Sequence, residues 1–116
     1  MALGKSALNA STNGKNIKIA ATATAGTLVH TAVSGTASWD EIYIWATNTS
    51  TSDVKVTVEW GEATAPDGNI EITIPGESGP VPIIPGWLLQ NGLTVKIFAG
   101  TTNVIVVTGF VITGVV

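Results

Sequence analysis

The stretch DEIYIWATN, residues 40–48, alternates strictly, and DVKVTVEW, residues 53–60, repeats the pattern beyond a polar break. In the first, Ile42, Ile44 and Ala46 fall on one face, with Tyr43, Trp45 and Thr47 on the other. In the second, Val54, Val56, Val58 and Trp60 share a face opposite Lys55, Thr57 and Glu59. A period of two carried by β-branched and aromatic residues marks half-buried strands. Working outward, NIEITI (69–74) lines up Ile70, Ile72 and Ile74 against Glu71 and Thr73, while TVKIFA (94–99) and VIVVTGFVIT (104–113) continue the habit. Between them, NTSTSD (48–53) reads as a hairpin, APDG (65–68) as a turn, and QNG (90–92) offers the Asn-Gly pair that tight hairpins favour. No helix of ordinary length is visible. Six to eight short strands at this spacing predict an all-β fold, a single β-sandwich of jelly-roll-like or Ig-like type.

Composition points to association. The chain has 116 residues, enough for one domain, and only 11% are charged against about 25% in ordinary soluble domains. Hydrophobic residues reach 45% and the mean hydropathy is +0.41, so few charges are present to cover the surface. Apolar surface left over in such a chain marks interaction sites. The 13-residue stretch VIVVTGFVITGVV (104–116) is expected to help close a subunit interface, and is too short and glycine-broken to span a membrane. The first residues lack the continuous apolar run of a secretory signal. With no cysteine, disulfides and thiolate metal sites are excluded.

Charge is divided along the chain. Lys5, Lys15 and Lys18 precede any carboxylate, giving +3, whereas the remainder sets two lysines against eight carboxylates, a net −6. Residues 1–26 are dominated by small side chains and read as an extended N-terminal attachment arm, with residues 27–116 as the sandwich domain. The arm segment NIKIAATATA (16–25) alternates in a strand-compatible way. It is expected to be mobile alone and to add as a strand to an acidic partner, through Lys5, Lys15 and Lys18 and the apolar Ile17 and Ile19. The chain has no arginine and a sequence pI near 4.8, which argues against nucleic acid. Neither nucleic acid nor membrane is expected as a partner.

IPGESGPVPIIPGWLLQNG (74–92) carries four prolines, Pro75, Pro80, Pro82 and Pro85. Proline removes backbone donors, so the segment protects an edge or forms a crossover rather than a central strand. Trp87, Leu88 and Leu89 follow as core or interface anchors, and Trp39 and Trp45 are further interface candidates. Catalytic readings find little. His30 is the lone histidine, Asp40 and Glu41 are adjacent and so point to opposite faces of a strand, and no nucleophile elbow is present. DGNIE (67–71) has oxygen ligands at alternating positions but lacks the rest of a Ca²⁺ loop. No enzyme activity, cofactor or metal is expected.

The succession WDEIYIWATNTSTSDVKVTVEWG (39–61), IEITIPGESGPVPIIPGWLLQNG (70–92) and VKIFAGTTNVIVVTGFV (95–111) resembles small virion structural proteins of tailed bacteriophages, of the head-decoration or cement type. The resemblance implies a β-sandwich on the capsid surface of a virion. Such a protein bridges neighbouring subunits of the major capsid protein, often as a homotrimer. The alternative is a carbohydrate-binding or host-adhesion β-sandwich of a tail fibre or baseplate, with Trp39, Tyr43, Trp45 and Trp60 as stacking platforms. A solvent-exposed aromatic row favours sugar, and burial in core or subunit interface favours decoration.

Overall fold

The computed structural model describes residues 4–115, which form nine strands and no helix. The strands are β1 (Gly4–Ala7), β2 (Ile17–Lys18), β3 (Thr27–Thr31), β4 (Ser38–Asn48), β5 (Val54–Trp60), β6 (Asn69–Ile74), β7 (Val81–Leu89), β8 (Thr94–Ala99) and β9 (Ile105–Val115). They make two antiparallel sheets. A front sheet runs β9-β4-β7 with both β1 and β2 on the far side of β9, and a back sheet runs β3-β8-β5-β6.

The pairings are nested: β2 with β9, β3 with β8, β4 with β7 and β5 with β6. The chain is thus a ribbon doubled back at residues 61–68 and rolled up, so that β9 also meets β4 and β8 also meets β5. The orders 2-9-4-7 and 3-8-5-6 are those of a jelly roll, which decides between the two sandwich types. Only the loop containing APDG joins paired strands. NTSTSD and QNG do not close hairpins; each carries the chain from the front sheet to the back sheet. Asn91 and Gly92 do take the left-handed conformation (φ 62° and 68°), but their amides donate to Gly35 and Val33 instead of capping a two-stranded ribbon.

The core lies between the sheets. Ile42, Ile44 and Ala46 on β4 face Val56 and Val58 on β5, and Ile84, Val95, Ile97, Ile105, Val107 and Val111 fill the space around them. Burying each such aliphatic side chain contributes about 1.5–3 kcal/mol. The alternation in β4 and β9 is as the sequence suggests. Residues 105–115 of the C-terminal stretch form β9, hydrogen-bonded on both sides, with Ile105, Val107 and Val111 wholly inside and Val106, Phe110 and Ile112 outward. Pro82 and Pro85 sit in β7, the edge of the front sheet, where a missing N–H breaks no ladder and the register shifts twice.

The leader is no separate arm. β1 and β2 extend the front sheet along β9, and Leu8 and Ile19 are core residues, 1% and 0% exposed. Residues 22–26 then arch over the outside of the back sheet. There the Glu59 carboxylate accepts from the Thr24 hydroxyl (2.8 Å) and the Gly26 amide (2.7 Å). Glu59 points outward from β5 as expected, yet it is 1% exposed beneath this crossing. β1 and β2 add as strands to the chain's own β9, and burying Leu8 and Ile19 and satisfying the Glu59 carboxylate help to offset the entropy of ordering. Residues on both sides of position 27 therefore contribute to one hydrophobic core.

Candidate docking face

The outward side of the front sheet carries the largest group of aromatic residues. On β4 the outward positions are Trp39, Glu41, Tyr43, Trp45 and Thr47; on β9 they are Val106, Thr108, Phe110, Ile112 and Gly114. The register sets Tyr43 beside Phe110, Trp45 beside Thr108, Glu41 beside Ile112 and Trp39 beside Gly114. Tyr43 and Phe110 stack with centroids 4.8 Å apart and planes 20° off parallel; Trp45 joins at 6.0 Å from Phe110 and 6.5 Å from Tyr43. Near-parallel rings 4.8 Å apart overlap face to face, since coplanar neighbours cannot approach so closely.

Both neighbours of this stack are specified by sequence. Lys5 on β1 places its Nζ 4.5 Å above the Phe110 ring, a cation–π contact on the side away from β4. On the other side, Gly86 in β7 (φ 104°) leaves room for the Tyr43 ring, which would lie 2.8 Å from any added Cβ. Gly114 does the same for Trp39, whose indole occupies the space a side chain would need. The Tyr43 hydroxyl donates to Glu41 on the same face. That hydrogen bond, then burial, then the nearby negative charge hold the phenol above the usual tyrosine range.

The structure scatters the other expected site residues. Ile17 is half-buried against the core, and Ile19 is fully buried, so neither extends toward a partner. Lys15 and Lys18 are exposed in and beside β2. Leu89 is core, 7% exposed, and drops out as a contact residue. Trp87 is exposed and lies edge-to-face with Trp60 at 5.8 Å, while Leu88 projects beyond Glu41 on the front face. Trp39 and Trp45 belong to the aromatic face. Phe110 and Ile112 lie in the C-terminal stretch expected at an interface, but alternation in β9 does not reveal that β4 is its neighbour, so their place beside Tyr43 and Glu41 was not readable.

His30 has a structural place. A bulge after Leu28 turns it inward, where its Nδ1 accepts from the Asn9 amide at 3.1 Å. The proton is therefore on Nε2, which donates to Asp40 Oδ2 at 2.7 Å. Asp40 also accepts from the Val33 amide (3.1 Å) and the Thr113 hydroxyl (2.6 Å). Both residues are buried among apolar side chains, with no serine or thiol in the network. In DGNIE, Glu71 is engaged by Lys55 at 3.2 Å, and the described residues gather no cluster of three metal-ligating side chains. They also enclose no pocket, so the aromatic group is a platform and not a cleft.

No family model, curated protein or solved structure matches the chain.

Proposed function

We propose that the chain is a non-catalytic structural protein of a virion. In this reading it decorates and stabilises a bacteriophage capsid, docking across neighbouring major capsid protein subunits. The observation that carries this reading is the flat outward face of the front sheet, with Trp39, Tyr43, Trp45 and Phe110 side by side. Aromatic, charge-poor surface of this kind is enriched at the centres of protein interfaces. Binding across subunit boundaries stabilises a shell by mass action, with no chemistry required.

The same aromatics sit on the solvent side of the sheet, as a sugar-binding row would. Sugar stacking, however, uses open ring faces. Those of Phe110 are taken by Tyr43 and Lys5. A ring with neither face free suits a flat protein partner better than a pyranose.

The test is to locate the protein on purified particles of the virus that encodes it, by immunogold labelling or reconstruction. Label over the head, lost when Trp45→Ser and Phe110→Ser are introduced together, supports the reading. Label confined to tail fibres, or binding of the purified chain to a polysaccharide that the same double variant abolishes, overturns it.

A further inference from the structure

The aromatic face has an internal symmetry that names one of its partners. β9 runs down the middle of the front face, with β1 and β2 on one side and β4 on the other. At the level of Ile112, the register places Lys5 on β1 to one side and Glu41 on β4 to the other. One residue pair further along, Phe110 has Ala7 to one side and Tyr43 to the other. Opposite charges, and a small and a large side chain, thus stand at equal offsets from the same strand.

We infer that a second copy of this chain docks on the front face about a two-fold axis lying along β9. The inference rests on that face being a docking surface, and names a second copy in place of a capsid subunit as its occupant. Rotation about such an axis exchanges the two sides of β9. Lys5 of each copy then faces Glu41 of the other, and the Tyr43 ring of each lies over Ala7 of the other. Phe110 and Ile112 meet their own counterparts on the axis. The contact is isologous, so each complementary pair occurs twice. It is also an aligned packing of two sheets, the geometry that β-sandwiches use internally. The Tyr43 ring on β4 enters the low ground at Ala7, the outward residue of β1 beside Phe110.

Charge placement gives the arrangement a signature that a general hydrophobic association lacks. With Lys5→Glu, like charges meet at both positions of a homodimer, two carboxylates each time. With Glu41→Lys, two ammonium groups meet each time. A mixed pair of the two variants restores opposite charges at both positions. The experiment is sedimentation equilibrium or native mass spectrometry on the full chain, on each single variant and on their equimolar mixture, with circular dichroism on all. The wild-type chain is expected to be dimeric at micromolar concentration. Each variant alone should dissociate on the order of tenfold more readily or worse, while the mixture forms a one-to-one heterodimer.

A monomeric or trimeric wild type overturns the inference. So does a dimer indifferent to both variants, or a mixture in which no heterodimer forms. The docking reading fails separately: a monomer that still binds particles through Trp45 and Phe110 leaves it standing without the two-fold partner.

Discussion

Asp40 receives the Nε2 proton of His30 at 2.7 Å inside the sandwich, and the two residues come from different sheets. The pair ties β3 to β4 across the core, and Asn9 extends the tie to the leader. Its backbone amide reaches His30 Nδ1, and its side chain bonds the Thr31 amide (2.9 Å) and carbonyl (2.8 Å). Asp40→Asn keeps the shape but turns an NH2 group toward donors, either the Thr113 hydroxyl at the Oδ1 position or the His30 and Val33 N–H groups at the Oδ2 position. Leaving buried donors unpaired costs about 1–3 kcal/mol each time. We expect Asp40→Asn to lower unfolding free energy by about 3 kcal/mol, read from urea midpoints at unchanged slope. A loss below about 0.5 kcal/mol, the scale of ordinary surface substitutions, would show that the network is not structurally important.

The leader should be inseparable from the fold. Leu8→Ala and Ile19→Ala each remove a buried aliphatic group, and each is expected to cost about 2–5 kcal/mol. Deleting residues 1–24 strips β1 and β2 from β9 and exposes its edge, so the shortened chain should aggregate or unfold. A soluble deletion variant with native circular dichroism and an unchanged melting temperature would contradict this.

Glu59 should act as a latch for the chain crossing above it. Glu59→Ala removes the acceptor for the Thr24 hydroxyl and the Gly26 amide. Amide hydrogen exchange at Gly26 is then expected to accelerate by on the order of tenfold or more, with Val56 and Val58 in the same sheet changing far less. Equal acceleration across β5 would point to global destabilisation instead.

The two glycines of β9 should differ. An added Cβ at Gly109 would strike the backbone carbonyl of Tyr43, which is fixed in the sheet, whereas at Gly114 it would strike the indole of Trp39, which can swing away. Gly109→Ala is therefore expected to destabilise by about 1–3 kcal/mol and Gly114→Ala by less. Gly114→Ala should also redshift tryptophan emission as Trp39 is displaced into water. The reverse order of stabilities would contradict the packing described.

Tyr43 is the one tyrosine, so absorbance at alkaline pH reports it alone. Its pKa is raised by the hydrogen bond to Glu41, by burial and by the carboxylate's charge. A folded-state pKa above the unfolded one means that this contribution to stability is complete below the ordinary tyrosine range. It is lost as pH rises through the folded value. Glu41→Gln should bring the titration back toward the ordinary value; an unchanged curve would remove Glu41 as the cause.

How far the sequence could be read follows from what each feature depends on. The faces of β4 were legible because alternation is local, and Ile42, Ile44 and Ala46 went inward as their spacing required. Glu59 and Thr57 were read correctly as facing away from Val56 and Val58. Their burial was invisible, because it depends on what lies above the sheet. Leu8 and Ile19 looked like isolated apolar residues in a polar tail, and nothing near them signals that β9 is their partner. NTSTSD and QNG have hairpin chemistry, but a turn motif does not say whether the next strand pairs or crosses to the other sheet. The docking face combines both cases: Trp39, Tyr43 and Trp45 were visible on one strand, whereas Phe110 and Lys5 joined them only through register.

The nested pairing has a consequence for biosynthesis. Ile17 is opposite Val107, so β2 cannot find its partner until nearly the whole chain exists. At about 5–20 residues per second, the ribosome needs roughly 5–20 s to make the intervening stretch. During that interval Leu8, Ile17 and Ile19 have no β9 to cover. The innermost pair, β5 with β6, is available first, and closure proceeds outward from it. Folding dominated by such distant contacts takes milliseconds to seconds. A leader of alanine, threonine, serine and glycine, with three lysines and no carboxylate, is suited to that wait. It offers nascent neighbours little to stick to until the last strand emerges.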